Sequence, residues 1–191
     1  MTTISTTGPA PHPRSCLRAR IVPACIATAG LAALAWASFV HPLPLLVYNL
    51  SDSVPVGWYR VQSLDHRVGP LPVGGIVLTR LPTDAAALAA QRSYLPPHIP
   101  LLKRVGAVAP QHVCIVAGQV RIDGVPVAAT LPADRLGRPL PSLQFCRRLE
   151  PGELFLLSMT NPASFDSRYF GPVSACAVMG VVRRVWLEAG P

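Results

Sequence analysis

The residues of this chain that are suited to chemistry fall into three short segments. Residues 51–57 read Ser-Asp-Ser-Val-Pro-Val-Gly, residues 101–106 contain Lys103, and residues 164–173 begin Ser-Phe-Asp-Ser-Arg. Of the 17 basic residues, Lys103 is the single lysine and all others are arginines. A desolvated lysine can lose its proton and act as a general base, whereas arginine stays charged. Lys103 is therefore a candidate for a task that arginine cannot perform.

Each segment also has a plain structural interpretation. The Ser-Asp-Ser run beside proline and glycine is typical of a turn. Lys103 fits a solvated strand, and Asp166 with Arg168 fits a surface ion pair that contributes little to stability. Together, however, a serine and a lysine can form a dyad in which a neutral amine takes the proton of the attacking hydroxyl. Such an amine needs an apolar pocket, and Leu102 and Val105 lie beside Lys103 in the sequence.

The elements that must position these residues are mostly short strands. Twenty-two prolines and fourteen glycines disfavour long helices. One short helix is predicted over 83–94, with Thr83 as its N-cap and Pro96-Pro97 ending it. Strands are predicted at 58–62, 75–80, 101–108, 113–116, 119–122, 125–127, 154–157 and 175–186, with loops at 130–145 and 159–169. The expected fold class is mainly β and antiparallel, with one short helix.

The composition limits the partners that this chain can have. Its length allows one domain with a small appendage, and half of its residues are apolar, enough for a real core. The net charge of +8 would permit binding to nucleic acid or anionic lipid. Because the arginines are scattered and no dense basic run is interleaved with aromatics, we expect no nucleic-acid partner. Solubility and membrane orientation explain the charge better.

The N-terminal segment is expected to anchor the protein in a membrane. No charged residue occurs from Ile21 to Val40, a length sufficient to span a bilayer core. The arginines of residues 1–20 predict a cytoplasmic N-terminus. We assign 1–20 to the cytoplasm, 21–47 to the anchor in contact with inner-membrane lipid, and 48–191 to an exported domain. A signal peptide cleaved after Ala35-Trp36-Ala37 is the alternative.

The cysteines indicate a disulfide and no metal centre. Cys114, Cys146 and Cys176 follow the predicted anchor, and an exported domain can keep disulfides. Cys114 and Cys146 flank a hairpin-like segment, so we pair them and expect Cys176 to be free and buried. The chain has no C-x-x-C motif and its five histidines are dispersed. We therefore expect neither a metal nor a cofactor.

The three segments, in this order after an apolar stretch, resemble the conserved boxes of the type I signal peptidases. The closest resemblance is to their TraF-like conjugative-transfer branch, in which the serine box reads S-x-P-x-G, as at residues 53–57. Lys103 and Arg104 match the lysine box, and residues 164–171 closely match the late S-x-D-S-R-x-x-G box. The resemblance covers about residues 20–185. Val54 stands where signal peptidases have methionine. In two other places the sequence departs from their pattern: Pro110-Gln111 replaces Gly-Asp, and Ser158-Met159-Thr160-Asn161 replaces Gly-Asp-Asn-Arg.

The resemblance implies a role for each residue of these boxes. Ser53 would be the nucleophile, with Ser51 as the alternative, and Lys103 the general base. The Ser53 backbone N–H and the Ser51 hydroxyl would form the oxyanion hole. Ser164 would orient the amine of Lys103. The supporting loop would be braced by an ion pair, Asp166 with Arg168.

The resemblance also implies a function and a location. It predicts a bacterial inner-membrane protein with a periplasmic, signal-peptidase-like antiparallel β domain. Its substrate would be an exported protein such as a conjugative pilin precursor, and its neighbours the conjugation or secretion machinery. Cleavage coupled to joining of the pilin's ends is compatible with an acyl-enzyme, because an amine can replace water as the acceptor. The alternatives are a general signal peptidase, a non-catalytic periplasmic adaptor and a self-cleaving DNA-binding repressor. The apolar anchor and the lack of a helix-turn-helix pattern disfavour the repressor.

Overall fold

A computed structural model describes residues 13–39, 45–64 and 71–185, and within the first range the side chains of residues 21–37. Contacts between residues divide the chain into two units, residues 1–42 and residues 43–191. Parts of the predicted segments lie outside the described residues: 1–12, 40–44, and Trp186 at the end of the last predicted strand.

The first unit contains a single described helix, α1 (Pro13–Phe39), which includes Pro23. The helix covers most of the segment that the sequence analysis assigns to an anchor. Its described side chains, those of residues 21–37, are exposed. Among the described residues, no helix was found to combine the length and the hydropathy that crossing a membrane requires.

The second unit is built from two antiparallel sheets, as the alternating apolar pattern predicts. The larger sheet has the order β1-β2-β11-β3-β4-β9-β10 and the smaller β7-β6-β5-β8. The strands of the larger sheet are β1 (Leu46–Asn49), β2 (Gly57–Ser63), β3 (Ile76–Thr79), β4 (Leu101–Val108), β9 (Glu153–Leu156), β10 (Val173–Ser174) and β11 (Val178–Arg184). Those of the smaller sheet are β5 (His112–Val116), β6 (Gln119–Ile122), β7 (Val125–Ala129) and β8 (Phe145–Arg148).

Three strands lie where the sequence pattern predicts none. β1 pairs with β2, so Leu46 and Val47 of the expected anchor segment are part of the sheet. β8 follows a proline-rich loop and pairs with β5. β10 is only two residues long and pairs with β9. Each of these strands is too short to show a clear alternation, and β8 in addition pairs with a strand that is distant in sequence.

The helices also differ in detail from the prediction. Helix α2 spans Thr83–Gln91, its N-cap is Pro82, and no side chain caps it, so the predicted Thr83 cap is wrong. The helix ends before Tyr94 because Ser93 adopts a left-handed conformation with φ of 59°. The predicted loop at 159–169 runs into a helical turn, α3 (Ser167–Phe170).

Apolar side chains between these elements form the core of the second unit. One cluster lies against the smaller sheet and includes Val113, Val120, Phe155 and Leu157. Two others belong to the larger sheet: one contains Val54, Tyr59, Val61, Leu78, Leu102 and Val182, and the other Val77, Val105, Leu154, Leu156, Val173 and Val178. Residues on both sides of Lys103 in β4 thus contribute to the core, which fixes the position of that strand.

Gly106 shows why β4 needs a glycine close to Lys103. The pairing of β4 with β9 shifts in register between Val105 and Ala107. A Cβ atom on Gly106 would lie 2.9 Å from Leu157 Cβ and 3.2 Å from Phe155 O. Only glycine lets the two strands approach this closely, so Gly106 has a packing role.

Candidate active site

Ser53 lies in the connection between β1 and β2. It is buried, with 6% of its surface exposed, whereas Ser51 is exposed. The Oγ atoms of the two serines are 2.8 Å apart. Ser51 Oγ also lies 3.0 Å from Asn49 Oδ1, an amide oxygen that can only accept a hydrogen bond. Ser51 therefore donates to Asn49, and Ser53 donates its own proton to Ser51.

Asn49, the last residue of β1, holds this serine loop in shape. Its side-chain amide donates to the backbone carbonyls of three loop residues: Ser51 at 2.6 Å, Val54 at 2.9 Å and Pro55 at 3.2 Å. Its oxygen accepts from the backbone N–H of Ser51 at 3.2 Å. Asn49 is 7% exposed. The sequence analysis missed this residue, although an asparagine two positions before a Ser-x-Ser turn is a residue type that often bonds to the backbone of a turn.

Lys103 is buried in the middle of β4, and this excludes the interpretation of a solvated strand lysine. It is 3% exposed, and its strand partner on β3 is the buried Val77. Burial lowers the pKa of Lys103 from 10.5 to about 8; the charge of Asp166 opposes this fall and that of Arg168 adds to it. A pKa of about 8 leaves about one tenth of the amine neutral at pH 7, enough for it to accept a proton.

Ser164 receives the hydrogen bond of the Lys103 amine. Lys103 Nζ donates to Ser164 Oγ at 2.5 Å, and Ser164 itself is 4% exposed. The backbone N–H of Ser164 is in turn held by Asn161 O at 3.1 Å. The two residues that the sequence analysis paired, 61 positions apart, are therefore in contact.

Asp166 and Arg168 form a buried ion pair, not the surface pair of the plain interpretation. Their side chains are 0% and 1% exposed, and Arg168 donates through Nε and Nη2 to the two carboxylate oxygens at 2.8 and 2.9 Å. Burial acts to lower the pKa of Arg168, but the hydrogen bonds and charge of Asp166 raise it above its ordinary value. Arg168 also donates to four backbone carbonyls, those of Ala129, Asn161, Pro162 and Ser164. The pair thus braces the loop that presents Ser164.

Ser158 joins the loop of the ion pair to the serine loop. Its hydroxyl donates to the backbone carbonyl of Ser53 at 2.9 Å, and its backbone N–H donates to Asp166 Oδ2 at 3.0 Å. It is 3% exposed. The sequence analysis treated Ser158 only as a departure from the signal peptidase pattern. The structure therefore adds a link, through one buried serine, between the first and third boxes.

The first and second boxes meet at one large cavity. Ser51, Ser53, Lys103 and Ser164 all line this cavity, whose volume is about 880 Å³. Among the described residues, the hydrogen bonds of Ser53 Oγ and Lys103 Nζ run to Ser51 and Ser164 and do not join the two to each other. Chemically, the cavity combines a hydroxyl, an amine with a pKa near neutrality and apolar walls.

The cysteines lie elsewhere, on the smaller sheet. Cys114 on β5 and Cys146 on β8 are directly opposed and form a disulfide, the pair that the sequence analysis joined. His112 Nδ1 lies 3.7 Å from Cys114 Sγ. The side chains of His112, Cys114 and Cys146 are close enough together to share a metal ion. In the disulfide state the thiolates that would bind one are not available. Cys176 is exposed in a 3-10 turn, Ala175–Ala177, so the prediction that it is buried is wrong.

Comparisons with known proteins match most of this chain to one family. Residues 18–187 match the family described as signal peptidase, peptidase S26. The chain is 35% identical over 144 residues to the probable conjugal transfer protein TraF of Sinorhizobium fredii (strain NBRC 101917 / NGR234), covering 72% of this chain and 74% of that protein. It is 32% identical over 175 residues to a plasmid transfer protein TraF of Escherichia coli, covering 86% and 94%. Among solved structures, a signal peptidase I from Enterococcus faecalis V583 is 20% identical with a TM-score of 0.36, covering 60% of this chain and 97% of that one.

Proposed function

Because the chain belongs to the signal peptidase family S26, we propose that it is a serine endopeptidase with Ser53 as nucleophile and Lys103 as general base. The observation that carries this proposal is the burial of Lys103, which brings its pKa to about 8 beside the cavity that Ser53 also lines. An ordinary lysine is almost fully protonated at pH 7 and cannot serve as a base.

The proposed chemistry assigns one step to each of these groups. Neutral Lys103 takes the proton of Ser53 as the Ser53 oxygen attacks the scissile carbonyl carbon, and the carbonyl oxygen becomes an oxyanion. The backbone N–H of Ser53 and the hydroxyl of Ser51 stabilise that oxyanion. Protonated Lys103 then gives its proton to the leaving amine as the C–N bond breaks, which leaves an acyl-enzyme on Ser53.

Two hydroxyl protons must reorient for this to happen. In the resting arrangement Ser53 donates to Ser51, and Ser51 donates to Asn49. The Ser53 proton must turn to Lys103, and the Ser51 proton must turn from Asn49 to the oxyanion. Rotation of the Ser51 hydroxyl about its C–O bond is sufficient for the second change. The first change also requires the side chains of Ser53 and Lys103 to approach each other, because in this arrangement no hydrogen bond joins them.

The substrate that we propose is an exported pilin precursor of a conjugation system. The relatives that cover most of this chain are named for conjugal or plasmid transfer. Water would release the acyl group as a free acid, whereas an amine of the same pilin chain would form a new peptide bond and a cyclic product. Residues 21–42 would anchor the enzyme in the inner membrane, with the unit of residues 43–191 in the periplasm, because arginines precede an uncharged stretch. The end of the anchor is placed before residue 47 because Leu46 and Val47 belong to β1.

Substitution of the two serines and the lysine tests the proposal. A candidate pilin precursor from the same genetic element is co-expressed with each full-length variant, and its conversion is followed by mass spectrometry. We expect Ser53→Ala and Lys103→Arg to abolish conversion, because the first lacks a nucleophile and the second cannot deprotonate. Ser51→Ala should retain a residual rate, about 100- to 1,000-fold reduced, since it removes one oxyanion donor.

The controls separate loss of function from loss of protein. Each variant must accumulate to the wild-type level in the membrane fraction, and Arg121→Gln, a change in an exposed arginine of β6, should process normally. Normal conversion by Lys103→Arg would overturn the assignment of the base. A dead Ser51→Ala beside an active Ser53→Ala would show that Ser51 is the nucleophile.

A further inference from the structure

The wall of the cavity contributed by α2 and the loop after β7 carries an excess of positive charge. Among the described residues that line the cavity, the basic ones are Arg92, Lys103, Arg135 and Arg138, and the acidic one is Asp134. Arg92 follows α2, and residues 134–138 belong to the loop between β7 and β8. The mechanism above uses only Lys103, so three arginines and an aspartate at the same cavity have no assigned role.

The carboxylate of Asp134 makes several hydrogen bonds to other residues of this wall. Its two oxygens accept from the Tyr94 hydroxyl, from Arg138 Nε at 2.7 Å, and from the backbone N–H groups of Leu136 and Arg138, both at 2.9 Å. Burial acts to raise the pKa of Asp134, but these hydrogen bonds keep it well below the ordinary value. The aspartate is therefore ionised, and it neutralises one of the three guanidinium charges.

The three arginines differ in the hydrogen bonds and ion pairs that they already make within the protein. Arg92 donates to Pro139 O at 2.7 Å, and Arg138 donates to Asp134 and to Arg92 O. Arg135 is exposed and has no hydrogen bond or ion pair with another described residue. It is one of the residues that line the cavity, and its guanidinium group makes none of these bonds within the described residues. This residue is the natural contact for an incoming anion.

We propose that this wall is a subsite for a carboxylate of the peptide substrate, with Arg135 as its principal contact. The proposal rests on the proposed peptidase function, because the ligand must reach from Ser53 to the wall within one cavity. At about 880 Å³ the cavity is at the upper end of the range of about 300–1,000 Å³ for ligand sites, so it can hold several side chains. A planar guanidinium fork matches the geometry of a carboxylate.

The apolar part of the lining argues for a peptide and not for a free small anion. Leucines and aromatic residues make up much of the lining of the cavity, among them Leu81, Leu95, Leu101, Leu140 and Phe165. A multiply charged anion would gain nothing from such walls, whereas a peptide presents apolar side chains and a single carboxylate. That carboxylate has two sources: an acidic side chain of the substrate, or its C-terminal carboxyl group.

Calorimetric titration of three short peptides tests the subsite and separates the two sources. All are acetylated tetrapeptides that begin with three alanines: one ends in glutamate amide, one in glutamine with a free carboxyl group, and one in glutamine amide. The full-length protein is titrated in detergent at low and at high salt. We expect one of the two acidic peptides to bind at least about tenfold more tightly than the neutral peptide, with a smaller difference at high salt.

Variants of Arg135 show whether the preference comes from the proposed contact. Arg135→Gln should remove most of the preference for the acidic peptide, and Arg135→Lys should restore part of it, because charge is kept but the fork is lost. Arg121→Gln removes an exposed arginine from the smaller sheet and should leave the preference unchanged. Equal affinity for the three peptides, including no measurable binding, would overturn the proposal, and so would a preference that survives in Arg135→Gln.

A second measurement keeps this proposal separate from the proposed function. The wild-type protein is treated with a fluorophosphonate, which reacts with an activated serine, and the modified residue is identified by mass spectrometry. If Ser53 is labelled but the peptides bind equally, the dyad stands and the carboxylate subsite is wrong. If the acidic peptide is preferred but Ser53 is not labelled, the subsite stands and the assignment of the nucleophile is wrong.

Discussion

Replacement of Lys103 by methionine should make the protein inactive and, at neutral pH, more stable. The side chain is 3% exposed, and at pH 7 most molecules still carry its charge in an apolar environment. Methionine has a similar length and no charge, so it fills the same space without this cost. Few substitutions in a protein core stabilise it, which makes the direction of the effect informative.

The magnitude follows from the pKa of Lys103. A fall from 10.5 in the unfolded chain to about 8 in the folded protein corresponds to about 3 kcal/mol. Between these two values the unfolded chain binds more protons than the folded one, so wild-type stability rises with pH there and is lowest below about 8. The variant lacks this dependence but loses the hydrogen bond to Ser164, a loss of about 1 kcal/mol. We expect a net gain of about 2 kcal/mol at pH 7, falling to about zero at pH 10.

Urea unfolding of the full-length protein in detergent measures this difference. Wild type and Lys103→Met are unfolded at pH 7, 8, 9 and 10 and followed by circular dichroism, with activity measured in parallel as pilin conversion. Arg121→Met is the matched control, because it removes a positive charge from an exposed strand residue. Its stability relative to wild type should not vary with pH over this range.

Two results would refute this reasoning. A variant that is less stable than wild type at pH 7 would show that the buried charge is not costly and that the pKa of Lys103 is not depressed. A stability difference that stays constant from pH 7 to pH 10 would show that Lys103 does not titrate in this window.

Three further predictions concern the same site. The rate at which a fluorophosphonate labels Ser53 should rise about tenfold per pH unit below the pKa of Lys103 and level off above about 8, whereas a flat profile would argue against a lysine base. Asn49→Asp, which keeps the acceptor for Ser51 but loses the N–H donors, should slow labelling about 100-fold and leave the pH midpoint near that of wild type. A simple loss of folded protein would instead appear as reduced circular dichroism. Arg168→Lys should destabilise the protein by about 3 kcal/mol in urea unfolding, because lysine cannot replace the fork that binds Asp166 and four carbonyls; unchanged stability would contradict the bracing role.

The sequence alone was enough to nominate the candidate residues, because each is marked by its type or by a local box. A single lysine among arginines, and an Asp-Ser-Arg run after a serine, are visible without any structure. The long strand β4 is likewise predicted correctly, because eight residues show their pattern over several alternations. Two short elements, β1 and α3, are not predicted: β1 follows directly on the apolar segment that was assigned to the anchor, and α3 is a single turn of four residues within a loop.

Residues that act through a contact with a distant partner were beyond the sequence. Ser158 has no distinctive neighbours, and its role depends on the carbonyl of Ser53, which only the fold brings to it. Asn49 differs, because its bonds stay within the adjacent serine loop and a local signal was present. The prediction for Cys176 failed for a related reason, because it assumed a strand where the chain makes a 3-10 turn at the surface. Burial is a property of the whole fold, and a residue's type indicates it only on average.

By itself, then, the sequence determined the chemical groups and their order along the chain: a serine turn, one lysine on a strand, and an Asp-Ser-Arg segment. Tertiary structure decided the burial of these groups and, through it, the pKa of the lysine and the role of the ion pair. Lys103 has a pKa near 8 because strands distant in sequence exclude water from it, and Asp166 with Arg168 is a brace because the same packing buries both. A pKa and the strength of an ion pair depend on the dielectric environment, which arises only when the chain is folded.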